Sequence, residues 1–109
     1  MSALASYTTI EEHLRFSPDK LSKNNVFDSE GMFCDIYCFE SGQEQKAHAH
    51  PDSDKVYFVL EGQADVEIGD EVRRLMAGGL AHAGPGVAHG ISNPGPDRLK
   101  VLVFMAPKP

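Results

Sequence analysis

The sequence predicts an all-β fold, a single-domain antiparallel β-barrel. Apolar runs of strand length recur at close intervals, and 10 glycines and 7 prolines punctuate a chain of 109 residues. Helix signals, by contrast, are confined to the first turns of the chain. Short strands bounded by turn residues are the mark of sandwiches and barrels. At this length one domain is expected, burying about 65% of the surface that its unfolded chain exposes. Residues 1–32 are expected as an N-terminal segment packing on a barrel formed by residues 33–109, the two making one compact unit.

Taken in order, Thr9 followed three residues later by Glu12 has the form of a capping box. It predicts a short helix reaching Phe16, with an edge strand as the alternative. Ser17-Pro18 ends it, because the residue before a proline avoids the α region. Lys20–Phe27 and Phe33–Glu40 read as strands around the turn Asp28-Ser29-Glu30-Gly31. The second is apolar on both faces, interrupted mainly by Asp35. A strand covered by a barrel interior on one side and by a second layer or a partner on the other reads this way.

Ser41-Gly42 then turns the chain, and Pro51-Asp52-Ser53-Asp54 is a turn by composition. Lys55–Glu61 is the next strand, and Ala64–Ile68 with Glu71–Leu75 are the arms of a hairpin about Gly69-Asp70. Ala77-Gly78-Gly79 breaks the return arm before the short strand Leu80–Ala83. Gly84-Pro85-Gly86 and Asn93-Pro94-Gly95-Pro96 make two further turns, and Arg98–Ala106 is the terminal strand, built on Val101, Leu102, Val103 and Phe104.

Composition narrows the class of function. Hydrophobic content of 41% and charged content of 24% are those of an ordinary globular protein. A net charge of −6, with lysines and arginines scattered, excludes the basic stripe that a nucleic-acid partner requires. No apolar run approaches the ~20 residues of a membrane span, and the N-terminus lacks a signal-peptide pattern. A cytoplasmic protein with a small-molecule ligand and no membrane partner is expected. Cys34 and Cys38 share a strand face about 13 Å apart at ~3.3 Å per residue, too far for a disulfide, and read as small buried hydrophobes. Apolar character on both faces of Phe33–Phe39, together with Arg98–Ala106, leaves more surface than one small barrel covers, so a homodimer is expected.

The chemistry is concentrated between Gly42 and Gly62. His48 and His50 are separated by one residue, and side chains at i and i+2 of an extended strand point to one face. Two neutral imidazoles converging in this way make half of a site for zinc, iron, nickel or copper. His89, which follows the Gly84-Pro85-Gly86 turn, is the candidate for the other half. The functional reading is a mononuclear metal site in the barrel mouth. The bland reading is a set of polar residues lining a barrel and hydrogen-bonded to their neighbours.

These segments together resemble the cupin family. Its first motif, G-x5-H-x-H-x3/4-E-x6-G, is matched by Gly42, His48, His50 and Gly62. Its second, running from glycine through proline, glycine and histidine to asparagine, is matched by Gly79, Pro85, Gly86, His89 and Asn93. Gly86 here follows Pro85 directly, where the family has one residue between them. The resemblance spans roughly residues 33–106 and implies a jelly-roll barrel, also called a double-stranded β-helix. It also implies a divalent transition metal (Zn, Fe, Ni or Mn) at the histidines. Dioxygenase, isomerase, epimerase and decarboxylase activities all occur on this fold. Three histidines without a carboxylate resemble the thiol dioxygenases more than the usual site of two histidines and a carboxylate.

Lys55 stands where the family has its metal-binding glutamate. If the strand alternates as the family's does, Lys55, Tyr57 and Val59 face the interior, and an ammonium there repels a divalent cation. Three outcomes are open: Lys55 turns outward to Asp54 or Asp52, it sits inside neutral or salt-bridged, or no metal binds. Asp54 is the alternative carboxylate by spacing, although alternation turns it outward. His82 is either a further ligand or a surface histidine, and Tyr57 offers a hydroxyl to a bound molecule. Two functions compete: a metal-dependent enzyme acting on a small polar metabolite, and a non-catalytic module that holds a metabolite or a metal. A third uses Lys55 as a general base or Schiff-base nucleophile.

Overall fold

A computed structural model describes residues 6–109, so the first five positions of the N-terminal segment lie outside the described residues. Nine strands follow one another: β1 (Ser22–Asp28), β2 (Phe33–Phe39), β3 (Glu44–His48), β4 (Asp54–Glu61), β5 (Gln63–Ile68), β6 (Glu71–Met76), β7 (Leu80–Ala83), β8 (His89–Ser92) and β9 (Leu99–Ala106). They form a five-stranded sheet in the order β1-β2-β9-β4-β7 and a four-stranded sheet in the order β3-β8-β5-β6. All the pairings are antiparallel. This is the expected all-β jelly roll.

The core lies between the sheets. From the larger sheet it takes Tyr37, Phe39, Tyr57, Val59, Leu99, Val101 and Val103, and from the smaller one Ala64, Val66 and Ile91. Alternation selects these residues: on β4 the buried positions are Lys55, Tyr57 and Val59, every second residue. Lys55 is therefore an interior residue, 1% exposed, on the face that the register predicts.

Glycine is required at two close approaches. Gly62, between β4 and β5, has φ 89°, and a Cβ there would strike the Arg98 carbonyl. Gly90 lies so close to β3 that a Cβ would come within 2.9 Å of Ala47 N and 3.0 Å of Gln45 O. Asn93 is buried and ties three turns together. Its amide nitrogen donates to Phe39 O (3.3 Å) and Asp97 O (2.9 Å), and its Oδ1 accepts from Gly95 N at 2.9 Å.

The N-terminal segment departs from expectation. The Thr9 amide does donate to the Glu12 carboxylate at 3.0 Å, yet only a single 3-10 turn forms, Ile10–His13, and Leu14 is already extended. No residue of that turn is buried, so no apolar face supports further helical turns. The chain instead crosses the outer face of β2 as a strap. The Asn24 amide donates to His13 O (2.8 Å) and Arg15 O (3.1 Å), Gln43 Nε2 donates to Ser17 O (2.8 Å), and the Arg98 guanidinium stacks 4.1 Å from the Phe16 ring. Thr8, Ile10 and His13 share an apolar depression with Cys34, Ile36, Leu102 and Phe104. The outer residues of β2, Cys34, Ile36 and Cys38, are thereby buried within one chain, and both cysteines are free.

Asn93→Ala should lower stability by about 2–3 kcal/mol, because it leaves buried carbonyl and amide groups unpaired. A fall in Tm on the order of 10 °C in thermal denaturation is the expected result.

Candidate metal centre

His48 ends β3, His89 opens β8, and the two are register partners. The register between these strands jumps from Gln45 opposite Ile91 to His48 opposite His89, so β3 carries one extra residue there. Gly90 admits the bulged backbone, since it has no Cβ to collide with Ala47. The bulge also changes the parity of the strand, and Gln45 and His48 both turn inward.

His50 lies beyond the end of β3, so strand alternation is not what aims it. Its carbonyl accepts a hydrogen bond from Gly86 N at 2.8 Å, which fastens the loop after β3 to the turn before β8. Gly86 has φ 78°, and the turn it permits delivers both this bond and His89.

The three imidazoles converge, with ring centroids 4.9 Å apart for His48–His50, 4.5 Å for His48–His89 and 5.5 Å for His50–His89. One ring nitrogen from each lies within 4.8 Å of the others. Two backbone carbonyls set the tautomers: His48 Nδ1 donates to Lys46 O at 2.9 Å, and His89 Nδ1 donates to Val87 O at 3.0 Å. In the neutral form of each ring the Nε2 is then the acceptor nitrogen that a metal ligand requires. Among the described residues, His89 Nε2 is a buried polar atom with no hydrogen-bond partner.

Burial pushes the His89 imidazole down to about 4. The Lys55, His48 and His50 charges act in the same direction and the bond to Val87 opposes them. His50 is also held below the usual histidine range, by burial first and then by the His48, Lys55 and Lys23 charges. The His89 ring is neutral at pH 7.

Lys55 reaches the same interior. Its ammonium donates to Gln45 Oε1 at 3.2 Å and lies 5.5 Å and 5.2 Å from the centroids of the Tyr37 and Tyr57 rings. Burial pulls it down to about 8, Lys23 lowers it further, and Asp35 raises it. The Tyr57 hydroxyl donates to the same Gln45 oxygen at 3.3 Å, and its ring centroid is 6.2 Å from that of His89. Burial raises both tyrosine hydroxyls, Tyr37 to about 12.

Asp54 and His82 lie elsewhere. They pair with each other at 2.7 Å on the outer face of the larger sheet, both well exposed. Asp54 precedes inward-facing Lys55, so alternation turns its carboxylate away from the histidines. His82 is the β7 register partner of outward-facing Val56 and shares that face. Gln45, which the sequence did not single out, bonds to three site residues: it receives the Lys55 and Tyr57 donors, and its Nε2 donates to Tyr37 Oη at 3.4 Å. Simple alternation from His48 turns Gln45 outward. The bulge that turns it inward has no sequence signal beyond Gly90.

Two antiparallel sheets folded as a jelly roll, with three histidines converging from the end of β3, the loop after it and the start of β8, define a small β-barrel with a candidate metal site. The chain belongs to the cupin family: the family model described as the Cupin domain matches residues 35–105. Among its relatives is an uncharacterized protein of Streptomyces coelicolor, 35% identical over 78 residues that cover 70% of each chain. The crystal structure of TT1209 from Thermus thermophilus superposes with a TM-score of 0.91 at 40% identity, covering 94% of this chain and 98% of the other. An uncharacterized conserved protein with a double-stranded β-helix domain from Klebsiella pneumoniae superposes with a TM-score of 0.88 at 28% identity, covering 98% and 90%.

The sign of the His89 shift fixes a pH dependence for the metal-free protein. As pH falls below about 6.5 the unfolded chain takes up a proton that the folded chain refuses until about 4. Stability should therefore drop across that window, by up to about 3 kcal/mol. Urea denaturation between pH 7 and 4 should show a steeper loss for the wild type than for His89→Gln.

Proposed function

We propose that this cupin binds one divalent transition ion through His48, His50 and His89, and that the loaded site binds or transforms a small polar metabolite. The observation that carries this reading is His89 Nε2, buried, without a proton and without a partner, facing two other imidazoles. Leaving a buried acceptor unpaired is costly, and an ion removes that cost. Three imidazole nitrogens suit a borderline first-row ion and leave coordination positions open. When bound there, such an ion supplies Lewis-acid polarisation of whatever ligand it shares with the protein.

The rest is done by the chain itself. The Val87 and Lys46 carbonyls hold the imidazoles in the ligating tautomer. Ala83 and Met105, the neighbours of Lys55 on β7 and β9, are almost fully buried and give that interior an apolar wall. Dioxygenase- and isomerase-type reactions are both open to such a site. A non-catalytic metabolite- or metal-binding module is the second reading, favoured by Lys55 standing where an anionic ligand is expected.

Substituting His48, His50 or His89 singly by alanine should cut bound metal at least tenfold without unfolding the barrel. Elemental analysis of protein purified without a metal-affinity tag checks this, with His13→Ala as the control. Unchanged metal in all three variants would end the metal reading.

We also infer a homodimer, through the Arg98–Ala106 part of the surface the sequence suggested together with the neighbouring strands β4 and β7. The strap covers β2, but further across the sheet the outer face carries an apolar patch beside the Asp54–His82 pair: Phe58 lies between Leu80 and Leu102, and Val56 next to Phe104. Leu80 is 66% exposed and Phe104 37%. A face of this kind suits a two-fold partner. Light scattering at micromolar concentration should give twice the chain mass for the wild type and the monomer mass for Leu80→Glu combined with Phe104→Glu.

A further inference from the structure

We propose that Lys55 and Tyr57 form an oxyanion site beside the histidine cluster, so that the ligand of this barrel is a small carboxylate. One carboxylate oxygen would sit on these two donors, with the remainder of the ligand toward the histidines. The second contact rests on the metal reading above, and the first stands without it.

Lys55 is 1% exposed, and none of the ion pairs among the described residues involves it. A buried ammonium with no carboxylate in contact is expensive. Its hydrogen-bond partner is a neutral amide oxygen, Gln45 Oε1 at 3.2 Å, and the Tyr57 hydroxyl meets that same oxygen at 3.3 Å. Two donors converging on one oxygen is the arrangement that receives a carboxylate, and the charged acceptor makes the stronger bond. Gln45 holds the place of that oxygen.

The surrounding charges agree. Asp35, the carboxylate whose field reaches Lys55, is already engaged by Asn25 Nδ2 at 2.9 Å. The Tyr37 and Tyr57 rings flank the ammonium and fix its position, but they carry no neutralising charge. Lys23 adds a second cation, 5.5 Å over the Tyr37 ring. Gln45 also lines a cavity of about 550 Å³ with Lys20, Lys23, Ser17, Ser22 and Glu44. Rotation of the Gln45 side chain would carry the site from that cavity to Lys55. Two lysines at the entrance and one at the end, against Glu44 at the entrance and Asp35 near Lys55, favour an anion along this path.

The test is a calorimetric titration of oxalate at low ionic strength, with oxamide as its neutral isostere. It is run on metal-stripped and zinc-loaded wild type, Lys55→Met and Lys55→Gln, with circular dichroism to verify that both variants fold. Oxalate should bind the metal-stripped wild type saturably, with oxamide at least tenfold weaker. Both variants should lose at least tenfold in oxalate affinity whether or not zinc is present. Equal oxalate affinity in the wild type and the variants, or no saturable binding to the wild type in either state, overturns the proposal. Failure of the protein to take up zinc would remove the metal reading while leaving the metal-stripped titration to decide the anion site.

Discussion

The site depends on one extra residue in β3. Without it, Gln45 and His48 would point to opposite faces of the smaller sheet, and the interior would lose either an imidazole or the amide that links Lys55, Tyr57 and Tyr37. A bulge disrupts a ladder, and this one forms where β8 offers a glycine against which the kinked backbone can rest. Gly90 is thus a packing requirement whose effect is chemical: it lets two inward polar residues be three apart on a strand whose natural period is two.

The interior that results is uncommon in its balance of charge. Jelly-roll interiors are filled mainly by apolar side chains, and here Tyr37, Phe39, Tyr57 and the valines of β4 and β9 do that at one end. At the other end an ammonium, three imidazoles and two tyrosine hydroxyls share a small volume. The ammonium raises the cost of a positive charge on the imidazoles beside it, so Lys55 helps to hold His50 and His89 below the usual histidine range. A carboxylate at position 55 would act in the opposite sense. The substitution therefore changes the preferred charge of whatever occupies the barrel, while the backbone stays the same.

Most of the architecture was legible because its signals are local. Turn residues bound the strands read from the sequence within two residues of their observed limits, and the alternation of Lys55-Tyr57-Val59 set the interior face of β4. The same alternation placed Asp54 outward, where it meets His82. What was not legible is what depends on contacts between distant segments. The capping box at Thr9 and Glu12 is local and formed, but the length of a helix is set by burial, and that segment found a better use lying across β2. The pairing of His48 with His50 was anticipated from strand alternation, whereas His50 is held by a bond from Gly86 on another loop. Gln45 was invisible because a bulge has no period.

The strap over β2 has a kinetic meaning for the two thiols beneath it. Cys34 and Cys38 are buried, and burial pushes both above the usual cysteine range, so they are inert while covered. The strap is held by a few hydrogen bonds from Asn24 and Gln43 and by one stacked guanidinium, and its own 3-10 turn buries nothing. None of these contacts belongs to the ladders that join the strands, so lifting the strap would break no ladder bond. The rate at which these cysteines become accessible to an alkylating reagent would then report local opening of the strap, a clock separate from global unfolding.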